Sequence, residues 1–268
     1  MSILHDILQR TRAGILERRS QVPLSELEAR CRECPPTRDF GGALRREIGV
    51  NRRRAGAMRV IAELKKTSPS KGVIRPDFAP VDLARAYARA GAHAISVLTD
   101  EPFFEGRLEH LVAVREAVEL PVLRKDFHVD PYQLWEARAA GADAVLLIAA
   151  TLQPAEFLRL MALSRELTLA VVAEVHTRQE LRMVLECGAE VVGINNRNLK
   201  SFEVSLETTF ALLPFVPPEV VLVSESGISR PEEVERLASA GVDGILVGEG
   251  LLRDADVGEA LRTLMGRA

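Results

Sequence analysis

Cysteine, lysine and long apolar runs are all scarce in this chain. Three cysteines in 268 residues fit a protein that keeps its thiols reduced. Cys31 and Cys34 have C-x-x-C spacing, but only Cys187 remains as a further thiol, too few ligands for a zinc site. No run approaches the roughly 18 apolar residues that a membrane helix needs. The opening "MSILHDILQRTRAGILERR" is amphipathic and carries acidic residues, without the apolar core of a secretory signal. A cytoplasmic protein without a membrane partner is expected. The net charge of −3 gives nucleic acid nothing to hold. Lysine occurs only at 65, 66, 71, 125 and 200, so a lysine at the end of an apolar run stands out. No G-x-G-x-x-G follows the first apolar run, which counts against a dinucleotide fold.

What is present is a repeat. "AGAHAISVL" from Ala90, "AGADAVLLI" from Ala140, "CGAEVVGIN" from Cys187 and "AGVDGILVG" from Ala240 share one logic. An amphipathic segment ends, a glycine suits a left-handed helix cap, and a short apolar run follows without alternation. Such a run suits a parallel strand covered on both faces. Four more runs have the same character: "RVIAEL", "PVLRKDF", "LAVVAEV" and "VVLVSES". The eight begin near 60, 94, 121, 144, 169, 190, 220 and 244, leaving room for a helix in each gap. Eight strand–helix units in about 210 residues predict an α/β fold, the (β/α)8 TIM barrel, over 58–268. Residues 1–57 precede it as an N-terminal helical extension, either a cap under the barrel or a lid over its mouth.

Polar residues gather where the strands end. In a barrel that end carries the active site. Strand one ends Glu63–Leu64–Lys65, strand three at Lys125–Asp126, strand five at Glu174, strand six at Asn195–Asn196–Arg197 and strand seven at Ser224–Glu225–Ser226–Gly227. Side chains alternate along a strand, so Glu63 and Lys65 share the face opposite Ala62 and Leu64. The apolar pair suits the helix layer and the charges the barrel axis. Isolated buried charge is costly, but lysines and glutamates facing one cavity can pair. "SESGI" and "VGEGLL" each place glycine directly after a strand. With a short helix in "GEGLLRDAD" they suit a phosphate seat, and Ser68 and Ser70 can close its other side.

"IAELKKTSPSKG", "SVLTDEPFFEG", "PVLRKDFHVDPYQ", "GINNRNL", "SESGI" and "LVGEGLL" resemble, in order, the motifs of the indole-3-glycerol phosphate synthase family of tryptophan biosynthesis. The resemblance covers the whole chain. It implies a carboxy-lyase that turns 1-(2-carboxyphenylamino)-1-deoxyribulose 5-phosphate into indole-3-glycerol phosphate, CO2 and water, with no cofactor and no metal. By resemblance Lys125 is the general acid, a role that asks for a lowered pKa. Glu63 and Glu174 are the carboxylates of the later proton transfers, and Lys65 grips the substrate carboxylate. Asn195 and Glu225 bind sugar hydroxyls, and Arg197 lies at the mouth. Phe104, Phe127 and Leu146 wall the aromatic ring. Ser68, Ser226, Gly227, Gly248 and Glu249 form the phosphate seat. At Glu249 the family often has a small polar residue, so here the backbone N–H is expected to serve while the side chain faces water. The partner is a phosphorylated small molecule and the expected state a monomer. The family's extension helps cover the mouth, and deleting about 40 residues is expected to leave a folded barrel. A sugar-phosphate isomerase, a Schiff-base aldolase using Lys125 or Lys65, and a binding protein without turnover are the rival readings.

Overall fold

The computed structural model describes residues 3–48, 54–198 and 202–267. Eight parallel strands close a barrel: β1 (Arg59–Leu64), β2 (Ala94–Leu98), β3 (Val122–Lys125), β4 (Ala144–Ile148), β5 (Ala170–Val175), β6 (Val191–Asn195), β7 (Val221–Glu225) and β8 (Gly244–Val247). Each pairs with its neighbours in sequence, and β8 returns to β1. The apolar runs begin within about a residue of these strands. They do not alternate because both faces are covered. Val60, Ala62 and Leu64 of β1 pack under the helices, while Ile61 joins Leu123, Leu146, Val172 and Val223 along the axis. The four repeated glycines 91, 141, 188 and 241 all have positive φ, between 78° and 101°, as the cap reading requires.

The extension carries helices α1 (Ile3–Gln21), α2 (Leu24–Glu33) and α3 (Phe40–Leu44). The outer ring follows: α4 (Pro80–Arg89), α5 (Leu108–Ala117), α6 (Pro131–Ala139), α7 (Pro154–Glu166), α8 (Arg178–Glu186), α9 (Glu207–Leu212), α10 (Pro231–Ala240) and α11 (Val257–Leu264). None of the described helices is long and apolar enough to cross a membrane.

The extension is both of the things its sequence left open. Ile3, Leu4 and Ile7 of α1 line the cavity at the barrel mouth. The far half of α1 lies on α6. There Arg18 Nε meets Glu136 Oε1 at 2.7 Å, and the Tyr132 hydroxyl donates to the carbonyl of Val22 at 2.8 Å. Ile15 and Leu27 are buried against Tyr132. The chain then descends. The Arg38 amide donates to Asp143 Oδ1 at 2.7 Å, and its guanidinium to the carbonyls of Val118 and Leu120. At the bottom Asp39 caps α3 through the Gly42 amide. Phe40 and Leu44, 1% and 0% exposed, enter the lower end of the barrel interior beside Ala94, Val191 and Val221. A cut near residue 40 therefore removes a core side chain and the Arg38 anchor. These contacts count against the expectation that the first 40 residues are dispensable to the barrel.

Candidate active site

A cavity of about 560 Å³ opens at the C-terminal ends of the strands. That is within the usual range of small-molecule sites. All fifteen residues expected from the sequence line it: Glu63, Lys65, Ser68, Phe104, Lys125, Phe127, Leu146, Glu174, Asn195, Arg197, Glu225, Ser226, Gly227, Gly248 and Glu249. The strand register places those at the strand ends. Glu63 is level with Ser96, Glu174 with Gly193, and Asn195 with Glu225, so their side chains converge at similar heights.

The charged groups form two linked sets. Lys65 Nζ lies 2.5 Å from Glu63 Oε1. Lys125 Nζ lies 2.8 Å from Glu225 Oε2 and 3.6 Å from Glu174 Oε2. Asn195 Nδ2 donates to Glu174 Oε1 at 3.2 Å, while Asn195 Oδ1 accepts the Arg197 amide at 3.0 Å. Two positions are glycine because carboxylates fill the space. A Cβ on Gly193 would fall 2.1 Å from Glu225 Oε1, and one on Gly248 would fall 2.7 Å from Glu63 Oε1.

Burial and charge compete here. Burial would raise the Glu63 carboxyl, but Lys65 and Lys125 outweigh it and hold the group below the usual carboxylate range. At Glu225 burial prevails over Lys125, and the carboxyl is raised. Burial would lower the Lys125 ammonium. Glu225, Glu174 and Glu63 reverse that and push it well above its ordinary value. The lowered pKa expected of this lysine is thus corrected: three carboxylates bind its proton firmly.

Around this centre Phe104 and Phe127 stand 6.3 Å apart between ring centroids and make an apolar wall with Leu146. On the opposite rim Ser226 and Gly227 both have positive φ, 68° and 79°. This left-handed pair turns the chain sharply after β7. Gly248 caps a one-turn helix, Glu249–Leu252, as "GEGLL" suggested. The Glu249 carboxylate does not simply face water. Its Oε1 accepts from Arg253 Nη2 at 3.1 Å, with Lys71 Nζ 3.9 Å away.

A profile of the indole-3-glycerol phosphate synthase family matches residues 4–264. The chain belongs to that family. It is 50% identical over 262 residues to the indole-3-glycerol phosphate synthase of Acidithiobacillus ferrooxidans (strain ATCC 53993 / BNL-5-31), covering 98% of both chains. To that of Verminephrobacter eiseniae it is 49% identical over 267 residues, again with 98% of each covered. Among solved structures it resembles 3-hexulose-6-phosphate synthase from Salmonella typhimurium, with TM-score 0.64 and 15% identity over 78% of this chain and 98% of that one. A tryptophan synthase α-subunit mutant from Pyrococcus furiosus has TM-score 0.60 and 18% identity, with the same coverage. At those identities the likeness speaks for the fold alone. As a member of the indole-3-glycerol phosphate synthase family the chain is a carboxy-lyase.

Several cavity residues escaped the sequence reading. Lys71 and Arg253 flank Glu249, and Phe202 and Val204 overhang the rim from the loop after β6. Leu98, Ile148 and Leu246 also face the cavity, and strand parity alone would have found them. Loop residues obey no such period.

Proposed function

We propose that this cavity converts 1-(2-carboxyphenylamino)-1-deoxyribulose 5-phosphate into indole-3-glycerol phosphate, CO2 and water by lysine–glutamate acid–base chemistry. The observation that carries the reading is Lys125 seated between Glu174 and Glu225, with the Lys65–Glu63 pair lining the same cavity. Lys125 donates a proton to the ketone oxygen as the ring carbon bearing the carboxylate attacks. Loss of CO2 from that carbon restores aromaticity. The hydroxyl formed from the ketone then leaves as water, with Glu174 and Glu63 handling the protons. Lys65 binds the substrate carboxylate, which requires it to turn from Glu63. Asn195 and Glu225 take the sugar hydroxyls. As Glu225 turns to them it releases Lys125, and the ammonium becomes a better acid.

The phosphate falls to Ser68, Ser226, Gly227, Gly248 and the Glu249 amide. The free N–H groups of a helix start suit an anion there, while Arg253 draws the Glu249 carboxylate aside. The mouth-lining part of residues 1–57 shields the ring. A monomer suffices, because one chain supplies every lining residue. A cytoplasmic location fits the free thiols of Cys31, Cys34 and Cys187.

The test is incubation with the carboxyphenylamino deoxyribulose phosphate while following indole fluorescence and CO2. Absence of both products overturns the reading. Lys125→Met is expected to lose turnover by about 10²–10⁴-fold while retaining binding of a substrate analogue. A variant with more than about a third of normal kcat removes Lys125 from the acid role. Covalent trapping of substrate by borohydride would favour the Schiff-base alternative.

A further inference from the structure

Immediately after β5 the chain places an imidazole behind one of the three carboxylates that surround Lys125. His176 is 13% exposed at its side chain. Its Nε2 lies 3.7 Å from Glu174 Oε1 and its Nδ1 lies 3.6 Å from Glu180 Oε2. Neither ring nitrogen has a hydrogen-bond partner, although both are buried. Glu180 is not free to move toward the cavity. Its Oε2 accepts the backbone amides of His176 at 2.6 Å and Thr177 at 3.2 Å, and Thr177 Oγ1 accepts the Glu180 amide in return. This is the capping box of α8. The imidazole is therefore wedged between a fixed helix-cap carboxylate and a cavity carboxylate.

Glu174 divides its two oxygens. Oε2 faces Lys125 of β3 at 3.6 Å. Oε1 faces His176, and accepts from Asn195 of β6. The ionisable groups around the imidazole are Glu174 on its own strand, Glu180 on α8 and, farther off, Glu225 of β7, with Lys125 across Glu174. A buried imidazole among carboxylates gains by holding a proton. One set merely among apolar groups would lose it.

We infer that His176 is a positioning residue for the cavity: as imidazolium it holds Glu174 in place, using Glu180 as its anchor. This rests on the proposed part of Glu174 in turnover. Burial lowers the affinity of His176 for its proton, but Glu180 and Glu174 outweigh burial and raise it above the ordinary value. Lys125 stays charged throughout the working range, so His176 is the neighbour of Glu174 whose charge changes near neutrality. Below the His176 pKa the imidazolium favours the Glu174 carboxylate. Above it that support is lost and the hold on Glu174 falls to Asn195 and Lys125.

The first measurement is a histidine ring titration by NMR on the intact chain, with resonances assigned by triple-resonance experiments. His176 is expected to titrate above the ordinary value of about 6.5, and at least about half a pH unit lower in Glu174→Gln, a change of about threefold in proton affinity. An unchanged His176 titration in that variant overturns the inference. The second is the pH profile of kcat/KM in His176→Gln, which cannot carry the charge. The parent carries the imidazolium at pH 5.5 and not at pH 8.5, so the variant loses at least about threefold more activity at pH 5.5 than at pH 8.5. A uniform loss at both pH values marks a structural residue only and also overturns the inference. If His176→Gln does not fold, the NMR comparison decides alone. If the protein shows no turnover, the proposed function fails while the NMR coupling still tests the geometry.

Discussion

Lys125 shows what a strand end does to one side chain. It stands among three glutamates, and Arg124 beside it points the other way. Arg124 Nη2 meets Asp126 Oδ2 at 3.0 Å and its Nε donates to Thr99 Oγ1 at 3.1 Å, both buried. Close by, His128 is 1% exposed, with Nδ1 2.8 Å from the Leu146 carbonyl. Burial first, and Arg124 second, push its pKa down to about 4. The unfolded chain binds this proton near pH 6.5 and the folded chain does not, so stability contributed by neutral His128 is present above pH 6.5 and is lost as pH falls toward 4. Between pH 7 and pH 5 the loss is about 2 kcal/mol. Urea unfolding at both pH values checks this, because His128→Gln should lose about 2 kcal/mol less than the parent. Equal losses would show that His128 carries no such term. At this scale Glu63, Lys125, Glu174 and Asn195 were legible, since a two-residue period fixes which side chains face the axis. His176 was not. It lies one residue past β5, and its meaning comes from Glu180, which local sequence assigns only to a helix cap.

At the scale of elements, the eight strands and the four repeated helix caps could be read because burial on both faces leaves a local signature. The path of the extension could not. An amphipathic stripe shows that α1 docks, not where. Its apolar residues serve two neighbours: Ile15 packs with Leu27 and Tyr132, while Ile3, Leu4 and Ile7 meet the cavity. This division sharpens the truncation experiment. Removing residues 1–12 takes away the mouth contacts yet keeps Ile15, Arg18, Arg38 and α3. The shortened protein should stay folded by circular dichroism. It should bind a substrate analogue at least about tenfold more weakly, or about 1.4 kcal/mol. That is modest beside the roughly 1.5–3 kcal/mol for burying an aromatic ring. Unaltered affinity in a folded truncation would reduce α1 to a structural strut.

As a whole the molecule separates stability from chemistry along the barrel axis. Its lower end is closed by Phe40 and Leu44 on an apolar interior, and its upper end holds the charges. Of the five lysines, Lys65, Lys71 and Lys125 line the cavity and Lys66 pairs with Glu105 nearby; Lys200 lies outside the described residues. A chain that otherwise relies on arginine thus has its four described ammonium groups at the upper end. If the proposed monomer is the working state, activity per chain should not change with protein concentration. Sedimentation should give the 29.4 kDa of a single chain. Specific activity that falls on dilution would show that a second copy matters.

The descent of the extension from mouth to floor also sets an order of events during synthesis. Arg18 waits 118 residues for Glu136, Arg38 waits 105 for Asp143, and Arg46 waits 196 for the Val242 carbonyl. These residues thus leave the ribosome well before the partners they need. A thin stripe suits that delay: in α1 only Ile7 and Ile15 are buried in the finished protein, so little apolar surface is left open meanwhile. Contacts of helices that dock on the outside of the barrel are expected to form after the folding transition state. Ile15→Ala and Leu27→Ala should therefore speed unfolding and leave the refolding rate nearly unchanged in stopped-flow chevrons. Refolding slowed in proportion to the lost stability would instead put the extension in the nucleus, and barrel formation would have to await the docking of α1 and α2.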